Sequence, residues 1–351
     1  MNAKFFPSHL QIETVNRICN ARCTMCTIDF IPDKSKLVRD SNSHTGYSRE
    51  AEIMPLERYQ RIIDKFTTHK NYIKYISLHG CGEPLLDKTL DSKISHTKSK
   101  GFRNVGFTSN CHFLSEDLSK RLLKTGLNCI IPSIDGFKKE THEAIRARTD
   151  FNRIIENVER FIQIRDKLDS DCKVVVRMVR QQLNNDEWAD YKAYWDSRLN
   201  PSKGDSCVAF DIHNTGGKVE DYENKRIPKE NTEDKLDDIF ERCGTPPFNF
   251  EEIADERGLV CIDPVEYEKQ ALCPDLFTRL SIFTSGRTAL CSADQAEYHP
   301  IGNILDYDNP EELFNSAIFN DYRSDWLNRN VSCKKNCTDC TITISRFRKH
   351  V

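Results

Sequence analysis

Residues 17–29 read RICNARCTMCTID and place Cys19, Cys23 and Cys26 within eight positions, directly after the strand-like run LQIETV (10–15). Three thiols at that spacing can grip a metal. A structural zinc takes four ligands, however, and an iron–sulfur cubane is ordinarily held by four cysteines. The run is one ligand short of a closed site. From the triplet alone, a zinc knuckle completed by another residue and an iron–sulfur site completed by a small molecule both stay open. The same spacing recurs in CKKNCTDC, as Cys333, Cys337 and Cys340, with no strand-like run leading into it.

The chain around these runs has 351 residues, 38% of them hydrophobic, and a net charge of −3. That length suits about two domains. A nucleic-acid partner usually wants a basic excess, so none is expected. There is no apolar stretch near the ~18 residues of a membrane span, and MNAKFFPSHLQIET lacks the layout of a signal peptide. The expectation is a cytoplasmic protein without a membrane partner. In that reducing compartment the clustered members of the fifteen cysteines read as metal ligands or redox groups rather than disulfides. Scattered cysteines read as small buried hydrophobes.

Downstream of LQIETV five more strand-like runs follow: IKYISLHG (73–80), NVGFTSN (104–110), NCIIPSIDG (128–136), KVVVRMV (173–179) and CVAFDIH (207–213). Helical stripes separate them. Leu56, Tyr59, Ile62, Ile63 and Phe66 follow Pro55; Leu114, Leu118 and Leu122 stop before Gly126; Phe151, Ile154, Ile155, Val158, Phe161 and Ile162 form the clearest stripe. Six strands with helical crossovers predict an α/β fold with a parallel sheet, either open or wound into part of a barrel, whose chemistry sits at the strands' C-terminal ends. Residues 28–54 form a polar loop long enough to be a lid or a segment ordered on binding. Across 218–242, fifteen of twenty-five residues are charged, as in a solvated linker or surface helix. From about Ala271 a second unit begins. It has a hairpin (LSIFTSGRTALC, turning at Ser285-Gly286) and a helix after Asn309-Pro310 with Leu313, Phe314, Ala317 and Ile318 on one face.

The C-x3-C-x2-C run after a first strand resembles the radical S-adenosylmethionine (SAM) enzymes. HGCGEPLL (79–86), ending the second strand, resembles that family's Gly-Gly-Glu-Pro motif, with Cys81 at a position often held by glycine. The resemblance covers residues 10 to about 213 and implies a partial (β/α)6 TIM-like barrel. In that family three such cysteines hold a [4Fe–4S] cluster whose open iron is chelated by SAM, and an electron from the cluster splits SAM into methionine and a 5′-deoxyadenosyl radical; the same is expected of Cys19, Cys23 and Cys26. Gly80 and Gly82 are expected to let the backbone approach the ligand, and Glu83 to accept from the SAM ammonium. Ser109 and Asn110 would bind ribose or the methionyl part, Ser133 and Asp135 fall in the family's usual places, and Arg146 would pair with the SAM carboxylate. With four matching strand ends, the resemblance leaves the zinc knuckle little room.

CPDLFTRLSIFTSGRTALCSAD, IGNI and the terminal CTDC resemble the SPASM/Twitch extension of that family. The shorter Twitch form implies one auxiliary [4Fe–4S] cluster on Cys273, Cys291, Cys337 and Cys340, with Cys333 spare; a structural zinc in the same four thiolates is the alternative. The implied organisation is a radical SAM barrel at 1–215, a charged inter-domain segment at 216–270 and a small α+β auxiliary-cluster domain at 271–351.

Relatives with one auxiliary cluster include dehydrogenases of aminocyclitols and sugars, and epimerases. Others modify peptides or proteins, often with a leader-recognition domain before the barrel. Eighteen residues precede Cys19, which tilts the expectation toward an oxidoreductase acting on a carbohydrate or aminocyclitol, with a peptide- or protein-modifying enzyme as the alternative. A flavodoxin- or ferredoxin-type protein would donate the electron. Arg177 or Arg180 and His213 are candidates to touch substrate; an arginine is too basic to be the base but can bind an oxyanion. As hydrogen donor of an epimerase the candidates are Cys261, Cys243 and Cys81.

Overall fold

The computed structural model describes residues 4–27, 49–215, 219–228, 253–254, 259–261, 273–297, 299, 301–328, 337 and 340. Six strands, β1 (His9–Ile12), β2 (Tyr75–Ser77), β3 (Val105–Ser109), β4 (Cys129–Pro132), β5 (Lys173–Arg180) and β6 (Ser206–Asp211), pair in parallel and in chain order. All six lie where the apolar runs predict them. A parallel sheet in sequential order is one wall of a barrel, because each crossover must return the chain to the same end.

The crossovers are α1 (Leu56–Lys65), α2 (Leu90–Ser99), α3 (Glu116–Lys124), α4 (Lys139–Ile145), α5 (Phe151–Lys167) and α6 (Trp188–Asp196). α5 starts where the Asp150 carboxylate accepts the Arg153 N–H, and it buries Ile154, Val158, Phe161 and Ile162. α2 escapes a reading by periodicity because its inner face carries Lys93 and Thr97, both fully buried. Lys93 Nζ meets Asp87 at 2.5 Å, so a paired ion occupies a position where an apolar residue would mark the stripe.

Strand alternation separates two faces. Leu10, Ile12, Ile76, Leu78, Val105, Phe107, Val174, Val176 and Met178 join the helices in the main core. On the inner face Cys129, Ile131, Val175 and Val208 form a small apolar plug. Full burial of each such side chain is worth about 1.5–3 kcal/mol.

The C-terminal hairpin, β7 (Arg279–Ile282) and β8 (Thr288–Ala289), forms as expected, with Gly286 at φ +86° in its turn. β7 does not stand alone: it pairs in parallel with β1 and extends the barrel sheet beyond its first strand. The single helix expected after Pro310 is two, α8 (Pro310–Phe314) and α9 (Ala317–Leu327). Between them the Asn315 side chain leaves the helix to bond both backbone groups of Phe5, each at 2.9 Å. Residues 28–48 of the polar loop and most of the charged segment, with Cys243 and Cys333, lie outside the described residues. Among the described residues no helix is long and apolar enough to cross a membrane.

Candidate active site

The C-terminal ends of β1 to β5 converge on a cavity of about 190 Å³. Its wall brings together Cys19, Cys23, Cys26, Gly80, Gly82 and Glu83 with Ser109, Asn110, Ser133, Arg146 and Arg177. The cysteine loop is pinned by pairing Arg22–Cys23 antiparallel to Arg146–Ala147, so Cys23 lies opposite Arg146. The Thr24 amide donates to the Ile145 carbonyl (2.9 Å) and the Cys26 amide to the Cys23 carbonyl (3.1 Å).

Each motif residue is held by the next. Glu83 accepts from Ser109 Oγ at 2.6 Å, the Asn110 amide at 2.9 Å and the Leu85 amide at 3.0 Å. A carboxylate has about four acceptor sites, so roughly one is left toward the cavity. Burial pushes the Glu83 carboxyl up, and these three donors pull the other way. Asn110 Nδ2 donates to Asn20 Oδ1 at 3.0 Å and stands 3.9 Å from Cys19 Sγ. Asp135 is fully buried and is not part of the wall. Its two oxygens accept the Val179 amide and Arg146 Nε, each at 2.7 Å. It therefore aims Arg146, whose Nη1 lies 3.6 Å from Cys23 Sγ. Burial works against the Arg146 cation, but Asp135 and the neighbouring thiols outweigh it and hold the group above its ordinary pKa.

Gly80 and Gly82 line the cavity, yet their lack of Cβ answers to packing behind them. A Cβ on Gly80 would stand 2.5 Å from Glu13 Cγ, and one on Gly82 would stand 2.5 Å from the Val15 carbonyl oxygen. Close approach to the chain after β1, rather than to a ligand, requires glycine at both positions.

Arg177, on the inner face of β5, donates Nη2 to Ser133 Oγ at 3.0 Å, and its guanidinium lies 5.2 Å from the Phe210 ring. His213 stacks on Phe210 at 5.8 Å and is not part of the wall. The Cys261 backbone pairs with Ile253, in a small sheet whose other strand is Lys4–Phe5. That sheet stands before the start of β1, at the far end from the cysteine loop; the Cys261 side chain is outside the described residues. Sequence reasoning missed His79 and Thr108, which also line the cavity. His79 shares the inner face of the second strand run with Ser77, so its place two residues on was the available signal. Burial, then Arg177 and Arg279, push its imidazole down to about 3.

At the second cysteine set, Cys273 precedes α7 (Pro274–Thr278), and Cys273 and Cys337 pack against the main core. Burial pushes the Cys291 thiol up, and Asp275, Asp294, Cys273 and Cys337 lie near enough to add to it. The Cys340 amide donates to the Cys337 carbonyl at 3.2 Å.

Residues 14–187 match the family model described as the Radical SAM superfamily. The chain belongs to the radical SAM superfamily. It is 26% identical over 186 residues to molybdenum cofactor biosynthesis protein 1 of Dictyostelium discoideum, a match covering 52% of this chain and 26% of that protein. It is 26% identical over 151 residues to a probable GTP 3′,8-cyclase of Saccharolobus islandicus, covering 43% of this chain and 42% of that one. The chain thus spans less than half the length of these curated relatives. Among known structures, SuiB of Streptococcus suis bound to the precursor peptide SuiA aligns with TM-score 0.62 and 14% identity over 97% of this chain and 71% of that one. BtrN in complex with AdoMet and 2-DOIA aligns with TM-score 0.54 and 15% identity over 95% and 93%. Native anSMEcpe with bound AdoMet aligns with TM-score 0.57 and 13% identity over 98% and 96%. At these identities the likeness is one of fold, the partial TIM barrel of radical SAM enzymes.

Membership implies a [4Fe–4S] cluster and SAM, and the donor set fits them. Three thiols, a carboxylate with one acceptor site left and a guanidinium share one wall. Among the described residues no three His, Cys, Asp or Glu side chains gather closely enough to hold a single metal ion.

Proposed function

We propose that this radical SAM enzyme is an oxidoreductase that dehydrogenates or epimerises a small hydroxylated ring, a sugar or aminocyclitol. The observation that carries this is the cavity wall beyond the cysteine and SAM motifs: His79, Thr108 and Arg177 offer a compact, polar, hydrogen-bonding surface. When bound, the cluster and SAM supply a 5′-deoxyadenosyl radical that removes hydrogen from a C–H bond. Cys19, Cys23 and Cys26 would hold three of the cluster irons. Glu83 would offer its remaining acceptor site to the SAM ammonium, and Arg146, aimed by Asp135, would pair with the carboxylate. Ser109, Asn110 and Ser133 would meet the ribose or methionyl part.

Arg177 stays charged and orients a substrate oxygen rather than taking its proton. His79, held neutral, presents both a donor and an acceptor to a hydroxyl. Cys273, Cys291, Cys337 and Cys340 would hold an auxiliary [4Fe–4S] cluster in a C-terminal unit beginning near residue 271. A flavodoxin- or ferredoxin-type protein would reduce the enzyme.

The 2-DOIA named with BtrN, whose chain is matched nearly end to end, supports a ring substrate. The peptide named with SuiB supports the second reading, a peptide- or protein-modifying enzyme. Anaerobic turnover with sugars, aminocyclitols, GTP and candidate peptides, read by mass spectrometry, tests the choice. A loss of two hydrogens marks dehydrogenation; unchanged mass in ordinary water, with deuterium gained at the attacked carbon when the solvent is deuterated, marks epimerisation. A modified peptide with no change in any ring compound overturns the proposal. An iron count of about eight per chain supports two clusters, and about four removes the auxiliary one.

A further inference from the structure

Beneath the loop Gly80–Gly82, outside the cavity wall, lies a buried ion pair between Glu13 and Arg49. Their side chains are 4% and 8% exposed. Glu13 Oε1 accepts the Cys81 amide at 2.9 Å and Arg49 Nη2 at 2.9 Å. Its Oε2 accepts Arg49 Nη1 at 2.5 Å and the Thr284 amide, in the β7–β8 turn, at 3.3 Å. The Arg17 amide donates to the Cys81 carbonyl at 2.6 Å. Both polar groups of Cys81 are thus taken, and Glu13 sits where a Cβ of Gly80 would be.

Arg49 extends this lock toward the C-terminal segment. Its Nε donates to the Gln295 carbonyl at 2.8 Å, and its guanidinium stacks 3.7 Å over the Phe283 ring. Gln295 lies four residues past Cys291; its side chain accepts from Thr27 Oγ1, just after Cys26. Ala296 packs in one small cluster with Cys81 and Cys26.

We infer that Glu13 and Arg49 are positioning residues for SAM binding, which set the backbone of Gly80–Gly82 and lock it to the Thr284 turn and the Gln295 loop. Without the carboxylate, the Cys81 and Thr284 amides lose their acceptor and Arg49 becomes a buried cation without its counter-charge. The loop then keeps its Arg17 bond at the Cys81 carbonyl but loses the anchor of the Cys81 amide, so the backbone that would meet SAM shifts. Neither residue touches the cavity, so an effect on SAM must pass through the loop.

The test uses reconstituted holoprotein, measuring iron content, SAM affinity per cluster and the change that SAM causes in the EPR spectrum of the reduced cluster. Glu13→Gln and Arg49→Met should keep wild-type iron but bind SAM about tenfold more weakly, with the SAM-induced spectral change diminished. Arg49→Lys keeps the cation but not the two-pronged bond, and should fall between wild type and Arg49→Met. SAM affinity per cluster within twofold of wild type, with an unaltered spectral change, in Arg49→Met and Glu13→Gln overturns the inference. If Glu13→Gln does not fold, the two Arg49 variants decide by the same criterion.

Discussion

Replacing Asp135 by asparagine separates holding Arg146 from binding SAM. The two carboxylate oxygens accept two bonds of 2.7 Å in a fully buried position, one from the Val179 amide and one from Arg146 Nε. Asparagine keeps the shape and one acceptor, so the Val179 bond can survive while an amide or a neutral oxygen faces the guanidinium. Removing one partner of a buried pair costs about 3–5 kcal/mol. The Arg146 side chain is 11% exposed at the cavity, so solvent relieves part of this and the low end, about 3 kcal/mol, is expected. Against a typical ~5–15 kcal/mol of total stability, that loss is plain in anaerobic urea unfolding as a lower midpoint. Arg146→Met leaves the carboxylate unpaired and should cost as much. The double variant Asp135→Asn/Arg146→Met should cost clearly less than the sum of the singles, because no buried charge is left alone and the Val179 amide keeps its acceptor. Asp135→Asn within ~0.5 kcal/mol of wild type, or simple additivity in the double variant, would refute the pairing as the source of Arg146's placement.

The two motif glycines should differ. Gly82→Ala drives its Cβ against the Val15 backbone oxygen at 2.5 Å, which cannot rotate away, and should lower both the thermal midpoint and SAM affinity independently of Glu13; Gly80→Ala meets Cβ and Cγ of the locked Glu13 and should lower both readouts too, but its effect should overlap with that of Glu13→Gln rather than add to it. Acid should destabilise the fold through its buried histidines. Burial and then Arg146 push His142 down to about 3, so between there and its unfolded value near ~6.5 the unfolded chain binds one more proton than the native one, and stability falls as pH drops through that window by up to ~1.4 kcal/mol per pH unit. His142→Gln, whose side chain can still accept the Asp135 amide now bonded to Nδ1, should flatten the unfolding-versus-pH curve by about one proton; an unchanged slope counts against a native-state neutral His142.

Much of the barrel was legible because its information is local. Strand alternation and the α1 and α5 stripes recur every two or 3.6 residues, so apolar runs alone mark them. Where a buried ion interrupts the stripe, as Lys93 does in α2, the signal vanishes although the helix packs well. The cysteine triplet and HGCGEPLL were legible for a similar reason, since spacing within one loop is a property of the chain itself.

The sequence by itself thus determined six strand-like runs with helical crossovers and a triplet of cysteines after the first, and its resemblance to the radical SAM enzymes supplied the Glu, Ser, Asn and Arg set expected to face that triplet. Only the tertiary structure decided what supports that site. Asp135 aims Arg146 instead of meeting the cavity, the C-terminal hairpin continues the barrel sheet along β1, and His79 stands on the wall. The physical reason is sequence separation. The bonds that tie Glu13 to Arg49, Glu13 to Cys81 and Arg49 to Gln295 span 36, 68 and 246 residues, and no periodicity in a linear chain encodes which distant side chains close on the same buried charge.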